Sequence, residues 1–284
     1  MKNSISLQQK LKDLQQQKKA LLATNFYNFE TLKGVLLAAR SVKAPIILQL
    51  TKSSLEYLGL PVAMELAESM LKYYEVDAWI HLDHGDSYAL VASCLDAGFN
   101  SVMIDASEKP FEENVKITRS VVKLAEKYGA NVEAELGYVA KLGQKTDKIG
   151  FTESDEAKRF VEETGVNALA VAIGSAHGFY KDPPKLDLDR LSEIRKITNV
   201  ALVLHGASGI PHDVLREAIK RGICKINLAT EIKNIFMKTL KNKLANEDEI
   251  DLRKVFPAAT DAVTELVKDK LQAIQIESIA QINK

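Results

Sequence analysis

Apolar and polar positions alternate on two length scales along this chain of 284 residues. Short apolar runs recur, each followed by a longer segment with apolar residues at helical spacing, which is the pattern of repeated βα units around a parallel sheet. Strands are expected at 20–25, 45–50, 77–82, 101–105, 131–135, 168–173, 201–204 and 224–227. Runs such as "ALAVAIG", "ALVLHG" and "PIILQL" are continuously apolar, as strands buried on both faces should be. Helices are expected between them, for example at 62–74 and 112–128, with Pro61, Pro110 and Gly129 as start or stop signals. After the first strand the chain reads "ATNFYNFE", without the glycine fingerprint of an open dinucleotide-binding sheet. The expected fold is therefore α/β, a (β/α)8 TIM barrel, with additional N-terminal and C-terminal helices at 7–18 and 258–279. One domain over 1–284 fits, because barrels of about 250 residues are ordinary. The stretch 136–150 is long for a βα connection and reads as a functional loop.

Composition narrows the partners. Lys and Arg number 38 against 38 Asp and Glu, so no global field attracts nucleic acid or an anionic membrane, and any phosphate affinity must be local. Cys94 and Cys224 are too few for a disulfide framework and read as small buried residues. Residues 1–19 lack the apolar core of a secretory signal, and no later run reaches the ~18 apolar residues of a membrane span. A soluble, cytoplasmic protein is expected.

In such a barrel the chemistry sits where strands end and βα loops begin. The polar residues gather there, in "HLDHGD", "MIDAS", "EAELG", "GSAHG", "LHGASG" and "KINLAT". Of the five histidines, only His212 lies elsewhere. A lone histidine at a strand end is ordinarily a hydrogen-bonded structural residue, but His84, His177 and His205 converge on one mouth. Three imidazoles with an open position make a catalytic zinc site. His81, inside its strand, reads better as a core or supporting residue. Asp83, Asp105, Glu133 and Glu135 surround the same mouth, where a dication makes several negative charges tolerable, and some of them can instead orient the histidines. The turns "HGFYK", "HGASG" and "NLAT", with the hydroxyls of Ser208 and Thr230, offer an anion cradle of the kind barrels form near their last strands.

These segments, together with "AGFNSVMIDASEKPFEENV", "TGVNALAVAIGSAHGFYK", "LVLHGASGIP" and "GICKINLATEIKNIF", resemble class II (zinc-dependent) fructose-bisphosphate and tagatose-bisphosphate aldolases over about residues 24–270. The resemblance implies that His84, His177 and His205 hold zinc and that Asp83 is the acid/base at the C4 hydroxyl. Asp105 and Glu135 match carboxylates that hold a second divalent metal, and a monovalent cation is implied near Gly178 and Gly206. Gly178, Gly206, Ser208, Asn227 and Thr230, with Lys181 nearby, match the binding site of the dihydroxyacetone phosphate half. Asn25, Gln49 and Thr51 match the aldehyde side. Homodimers or homotetramers are the implied assemblies. Cleaving the C3–C4 bond of a ketose leaves charge on C3 and the C2 oxygen, which zinc stabilises as a Lewis acid without a Schiff-base lysine.

Three departures bear on the substrate. The loop "GYVAKLGQKTDKIG" lacks the usual Gly-Gly and acidic pair, leaving Asp147 as a substitute proton donor. "NLAT" carries Ala229 where fructose-type members carry aspartate, as tagatose-type members do. Thr260 stands where a basic residue ordinarily meets the distal phosphate, with Arg253 matching a separate arginine. The expected activity is reversible cleavage of tagatose 1,6-bisphosphate or fructose 1,6-bisphosphate to dihydroxyacetone phosphate and an aldehyde. Two alternatives are an aldolase for another ketose 1-phosphate with an unphosphorylated or sulfonated distal end, and a non-catalytic protein that binds metal and sugar phosphate.

Overall fold

The computed structural model describes residues 5–141, 150–178, 180 and 184–275. Its strands are β1 Leu21–Asn25, β2 Ile46–Thr51, β3 Ala78–Gly85, β4 Ser101–Ile104, β5 Asn131–Leu136, β6 Ala140–Lys141, β7 Ala168–Val171, β8 Ala176–His177, β9 Ala201–Leu204 and β10 Ile223–Leu228. All but β6 and β8 close into a barrel in the order β1-β10-β9-β7-β5-β4-β3-β2, every neighbouring pair parallel. This is the (β/α)8 barrel expected, and each expected strand is found in it. β6 and β8 pair with each other, Ala140 opposite Ala176 and Lys141 opposite His177. Two residues per strand leave no period to read, so the sequence carries no sign of this pair.

The period of two within each strand divides the barrel into two cores. Outward residues such as Leu22, Leu48, Ile80, Val102, Val132, Leu169, Leu202 and Ile226 are buried against the surrounding helices. Inward residues near the strand starts, among them Leu21, Ala23, Ile47, Trp79, Ala168, Ala201 and Val203, form a separate apolar cluster. The helix Leu7–Gln16 closes that end with Leu7, Leu11 and Leu14, whose helical spacing puts them on one face. Each such leucine contributes about 1.5–3 kcal/mol by leaving water. Ser6 caps the helix by accepting from the Gln9 N–H at 3.2 Å, and buried Gln15 donates to Val200 O at 3.0 Å and Gly222 O at 2.9 Å. The helix is thus tied to the strands it covers.

At the chain's other end the helix Leu252–Gln275 packs on the helix Phe29–Ser41. Gly34 permits the close approach: a Cβ there would lie 2.8 Å from Thr260 O and 2.9 Å from Val263 Cβ. Thr260 is buried beside this contact. No described helix is long and apolar enough to cross a membrane.

Candidate active site

A cavity of about 630 Å³ opens where the strands end, and Asn25, Thr51, Asp83, His84, Asp105, Glu135, His177, Gly178, Gly206, Ser208, Asn227 and Thr230 all line it. Gln49 and His205 are fully buried just beneath its surface. Lys181 and Asp147 lie outside the described residues.

Asp83 and His84 reach the mouth together because β3 is irregular. Consecutive strand residues point to opposite faces, so a regular strand would turn one of them outward. The pairing of β3 with β4 shifts register between Leu82 and Gly85, and His84 takes φ +52°, the left-handed region that non-glycine residues seldom adopt. Such bulges re-aim side chains and concentrate near functional sites.

The three expected imidazoles meet. Ring centroids of His84 and His177 are 5.1 Å apart, of His84 and His205 4.9 Å, and of His177 and His205 5.9 Å. Ligand atoms from these residues and Glu135 all lie within 4.8 Å of one another. The two carboxylates implied for a second metal stand differently. Glu135 is in this group, with Oε2 2.7 Å from His205 Nδ1. Asp105 stands behind His84, its Oδ2 2.7 Å from His84 Nδ1, while its Oδ1 accepts from the Ser107 N–H at 3.1 Å and hydroxyl at 2.7 Å. Burial raises the Asp105 carboxyl, but the bonds from His84 and Ser107 outweigh it and hold the group well below the usual carboxylate range. In His205 burial is likewise outweighed, here by Glu133 and Glu135, and the imidazole is pushed up to about 10. Three imidazoles and a carboxylate, with the outer ring nitrogens of His84 and His205 held by Asp105 and Glu133, are the donor chemistry of zinc. The residues fit such an ion.

Asp83 is held by side-chain amides from three strands. Asn25 Nδ2 donates to Oδ2 at 2.9 Å, Gln49 Nε2 to Oδ1 at 3.3 Å and Asn227 Nδ2 to Oδ1 at 3.5 Å. Gln49 therefore bears on Asp83 from below. The oxygens of these three amides are buried without a hydrogen-bond partner among the described residues. Burial would raise the Asp83 carboxyl, but His84, His205, Lys225 and the Asn25 bond hold it below its ordinary value, ionised at neutral pH.

On the opposite wall Gly206 has φ +66°, and a Cβ there would meet Ala176 O at 2.4 Å, so only glycine fits. Tyr180 staples the same two segments, accepting from the Ala176 N–H at 2.5 Å and donating to Gly206 O at 2.9 Å. The helix Thr230–Asn246 begins at this wall with Ala229 as N-cap, whose side chain cannot cap it, and Ser208 Oγ accepts from the Glu231 N–H at 3.4 Å. Its first N–H groups form an end suited to an anion.

Sequence reasoning missed Tyr180 as a staple and Lys225, which is fully buried in β10. The signal for Lys225 was available: a lysine inside the apolar run "GICKINL", two residues before Asn227 and so on the same face. Thr260 and Arg253 do not line the cavity. Arg253 is exposed and pairs with Asp251 at 3.0 Å.

Fold and site together define a class: a (β/α)8 barrel with a cluster of histidines and a glutamate that could hold a metal ion, beside a buried carboxylate. The family model of class-II fructose-bisphosphate aldolase matches residues 5–278, and the chain belongs to that family. Membership carries aldolase chemistry on small sugar-phosphate substrates, with metal dependence. The chain is similar to the YdjI aldolase of Escherichia coli K12, with 33% identity over 95% of this chain and 97% of that one and a TM-score of 0.85. A putative fructose-1,6-biphosphate aldolase from Coccidioides immitis shares 27% identity over 95% and 96% of the two chains, with a TM-score of 0.86. The fructose-bisphosphate aldolase Fba of Campylobacter jejuni shares the fold, at 19% identity over 95% of each chain and a TM-score of 0.81.

Proposed function

We propose that this protein is a zinc-dependent aldolase that reversibly cleaves a ketose bisphosphate to dihydroxyacetone phosphate and an aldehyde, with tagatose 1,6-bisphosphate the leading substrate and fructose 1,6-bisphosphate the second. The observation that carries this reading is Asp83, an ionised carboxylate held by Asn25, Gln49 and Asn227, with His84 Nε2 only 3.9 Å from its Oδ1. A divalent ion held by His84, His177 and His205, with Glu135 beside them, supplies Lewis acidity toward the substrate oxygens that gain charge. Asp83 takes the C4 hydroxyl proton, the O–H electron pair becomes the C4 carbonyl, and the C3–C4 pair stays on C3. In condensation the same carboxyl returns the proton. The free amide oxygens of Asn25 and Asn227 accept from substrate hydroxyls. Gly178, Gly206, Ser208 and Thr230, at the start of the helix Thr230–Asn246, hold the 1-phosphate.

At the far end of the substrate, neither Thr260 nor Arg253 supplies the charge-assisted bonds that an arginine gives a phosphate. Lys109 and Lys233 do line the cavity, so the second reading, a ketose 1-phosphate whose distal end is not phosphorylated, rests on the two expected positions alone. Ala229 removes the hydroxyl selection that an aspartate there would impose. The test compares kcat/KM for tagatose 1,6-bisphosphate, fructose 1,6-bisphosphate and their 1-phosphates, in an assay coupled to dihydroxyacetone phosphate. The 1-phosphate is expected to be essential, the tagatose configuration at least as well used, and the distal phosphate a small contributor. Exclusive use of fructose 1,6-bisphosphate contradicts the substrate assignment, and no turnover on any of a broad panel contradicts the enzyme.

A further inference from the structure

Beneath the histidines the lumen holds two charges that no solvent touches. Lys225 Nζ lies 2.7 Å from Glu133 Oε2 and 3.0 Å from Oε1, and both side chains are fully buried. An apolar pair of the same volume is ordinarily no less stable than a buried ion pair, and the apolar filling just below shows that this lumen accepts one. The pair's third partner supplies a reason for it. Glu133 Oε1 is 2.9 Å from His205 Nε2, while His205 Nδ1 faces Glu135. Glu135 belongs to the group of candidate ligands and Glu133 does not, so Nδ1 is the nitrogen turned toward an ion. A neutral imidazole carries its hydrogen on either nitrogen, and only the Nε2–H form leaves Nδ1 free to bind. Lys225 completes the arrangement. Its ammonium holds both Glu133 oxygens and approaches His81 Nε2 at 3.5 Å, and His81 Nδ1 is 2.7 Å from Ser101 Oγ, which also accepts from Asn131 Nδ2 at 3.2 Å.

We propose that Glu133 and Lys225 are positioning residues for the metal: the carboxylate, fixed by the ammonium, locks His205 in the tautomer that offers Nδ1 to the ion. This rests on the proposed metal role of His84, His177 and His205. The charge pattern makes a reversal testable. In Glu133→Gln the ammonium claims the amide oxygen, the NH2 faces His205 Nε2, and the imidazole hydrogen is driven to Nδ1, where the ion should sit. Adding Lys225→Met frees the amide oxygen to accept from Nε2 again. The measurement is zinc affinity of the full-length protein by chelator competition, with circular dichroism to confirm folding and histidine ¹⁵N NMR of the zinc-loaded protein to read the tautomer. Glu133→Gln is expected to weaken zinc binding by ~10–100-fold, the usual cost of losing a ligand's outer partner. The double variant should recover most of that loss, with the Nε2–H form of His205. Wild-type affinity in folded Glu133→Gln, or a folded double variant as weak as the single one, overturns the proposal. Failure of the wild-type protein to bind zinc overturns the metal reading itself, a result distinct from both.

Discussion

The two ends of the barrel lumen are built from the same strands and filled by opposite chemistry. At the strand starts the inward side chains are Leu21, Ala23, Ile47, Trp79, Ala168 and Ala201, closed off by Leu7, Leu11 and Leu14 of the first helix. At the strand ends they are Asn25, Thr51, Asp83, Glu135 and His205, open to or just beneath a cavity of about 630 Å³. Between them sits the dry ionic layer of His81, Glu133 and Lys225. The outward faces change far less along this axis, being mostly Val, Leu and Ile with Ala134 and Thr24 among them. The contrast teaches that stability and chemistry share a strand by alternation and divide the lumen by depth. A change at the floor should therefore cost folding and spare the site, and a change at the mouth should do the reverse.

The largest expected effect lies at the mouth. His205→Ala or His177→Ala should lose bound zinc and, with it, turnover; metal analysis of the purified variants and the coupled assay check this together. A variant that cleaves ketose phosphates at the wild-type rate sinks the metal assignment. Next comes Asp83→Ala, which should keep its zinc and lose turnover by ~10²–10⁴, the usual range for a positioned acid/base. If turnover falls only because zinc is lost, Asp83 is a supporting group and the proton falls to another residue.

How much of this was readable beforehand follows the same division. The strands were legible because they are buried on both faces and so appear as unbroken apolar runs, and the plugging helix, expected at 7–18, spans Leu7–Gln16. The histidines were legible because polar residues at strand ends stand out against such runs. Three things were hidden. The bulge that turns both Asp83 and His84 inward is marked by a positive φ at a histidine, where no glycine announces it. Lys225 stands out as a lysine within an apolar run, but its partner does not: only the closed barrel sets Glu133 facing it across the lumen. Thr260 matched a distal-phosphate position, yet it is buried where its helix packs on Gly34, with its carbonyl against that glycine and away from the cavity lining.

A floor change sharpens the comparison from the other side. Leu11 is fully buried in the plug, and Leu11→Ala should cost about 2–5 kcal/mol of stability, the range for a leucine deleted from a packed core. Denaturant unfolding measures this, and kcat below the transition should stay at its wild-type value. A large loss of kcat in the folded variant would mean that the floor and the mouth are coupled through the lumen.

The smallest effect expected is none at all, and it concerns the two cysteines. Cys224 lies in the floor cluster and Cys94 on the helix Tyr88–Asp96, both without solvent exposure. Burial pushes each thiol up to about 12. The sign follows directly: a raised thiol stays neutral as pH rises until it nears that value, and at pH 8 only roughly 10⁻⁴ of either group is the thiolate that reacts. A thiol reagent at pH 8 should therefore label neither cysteine of the folded protein and leave turnover unchanged, and it should label both once denaturant is added. Rapid labelling of Cys224 in native buffer would show that the floor opens to solvent while the protein is still active. In that case the apolar plug is not the permanent closure that sets the two ends of the lumen apart.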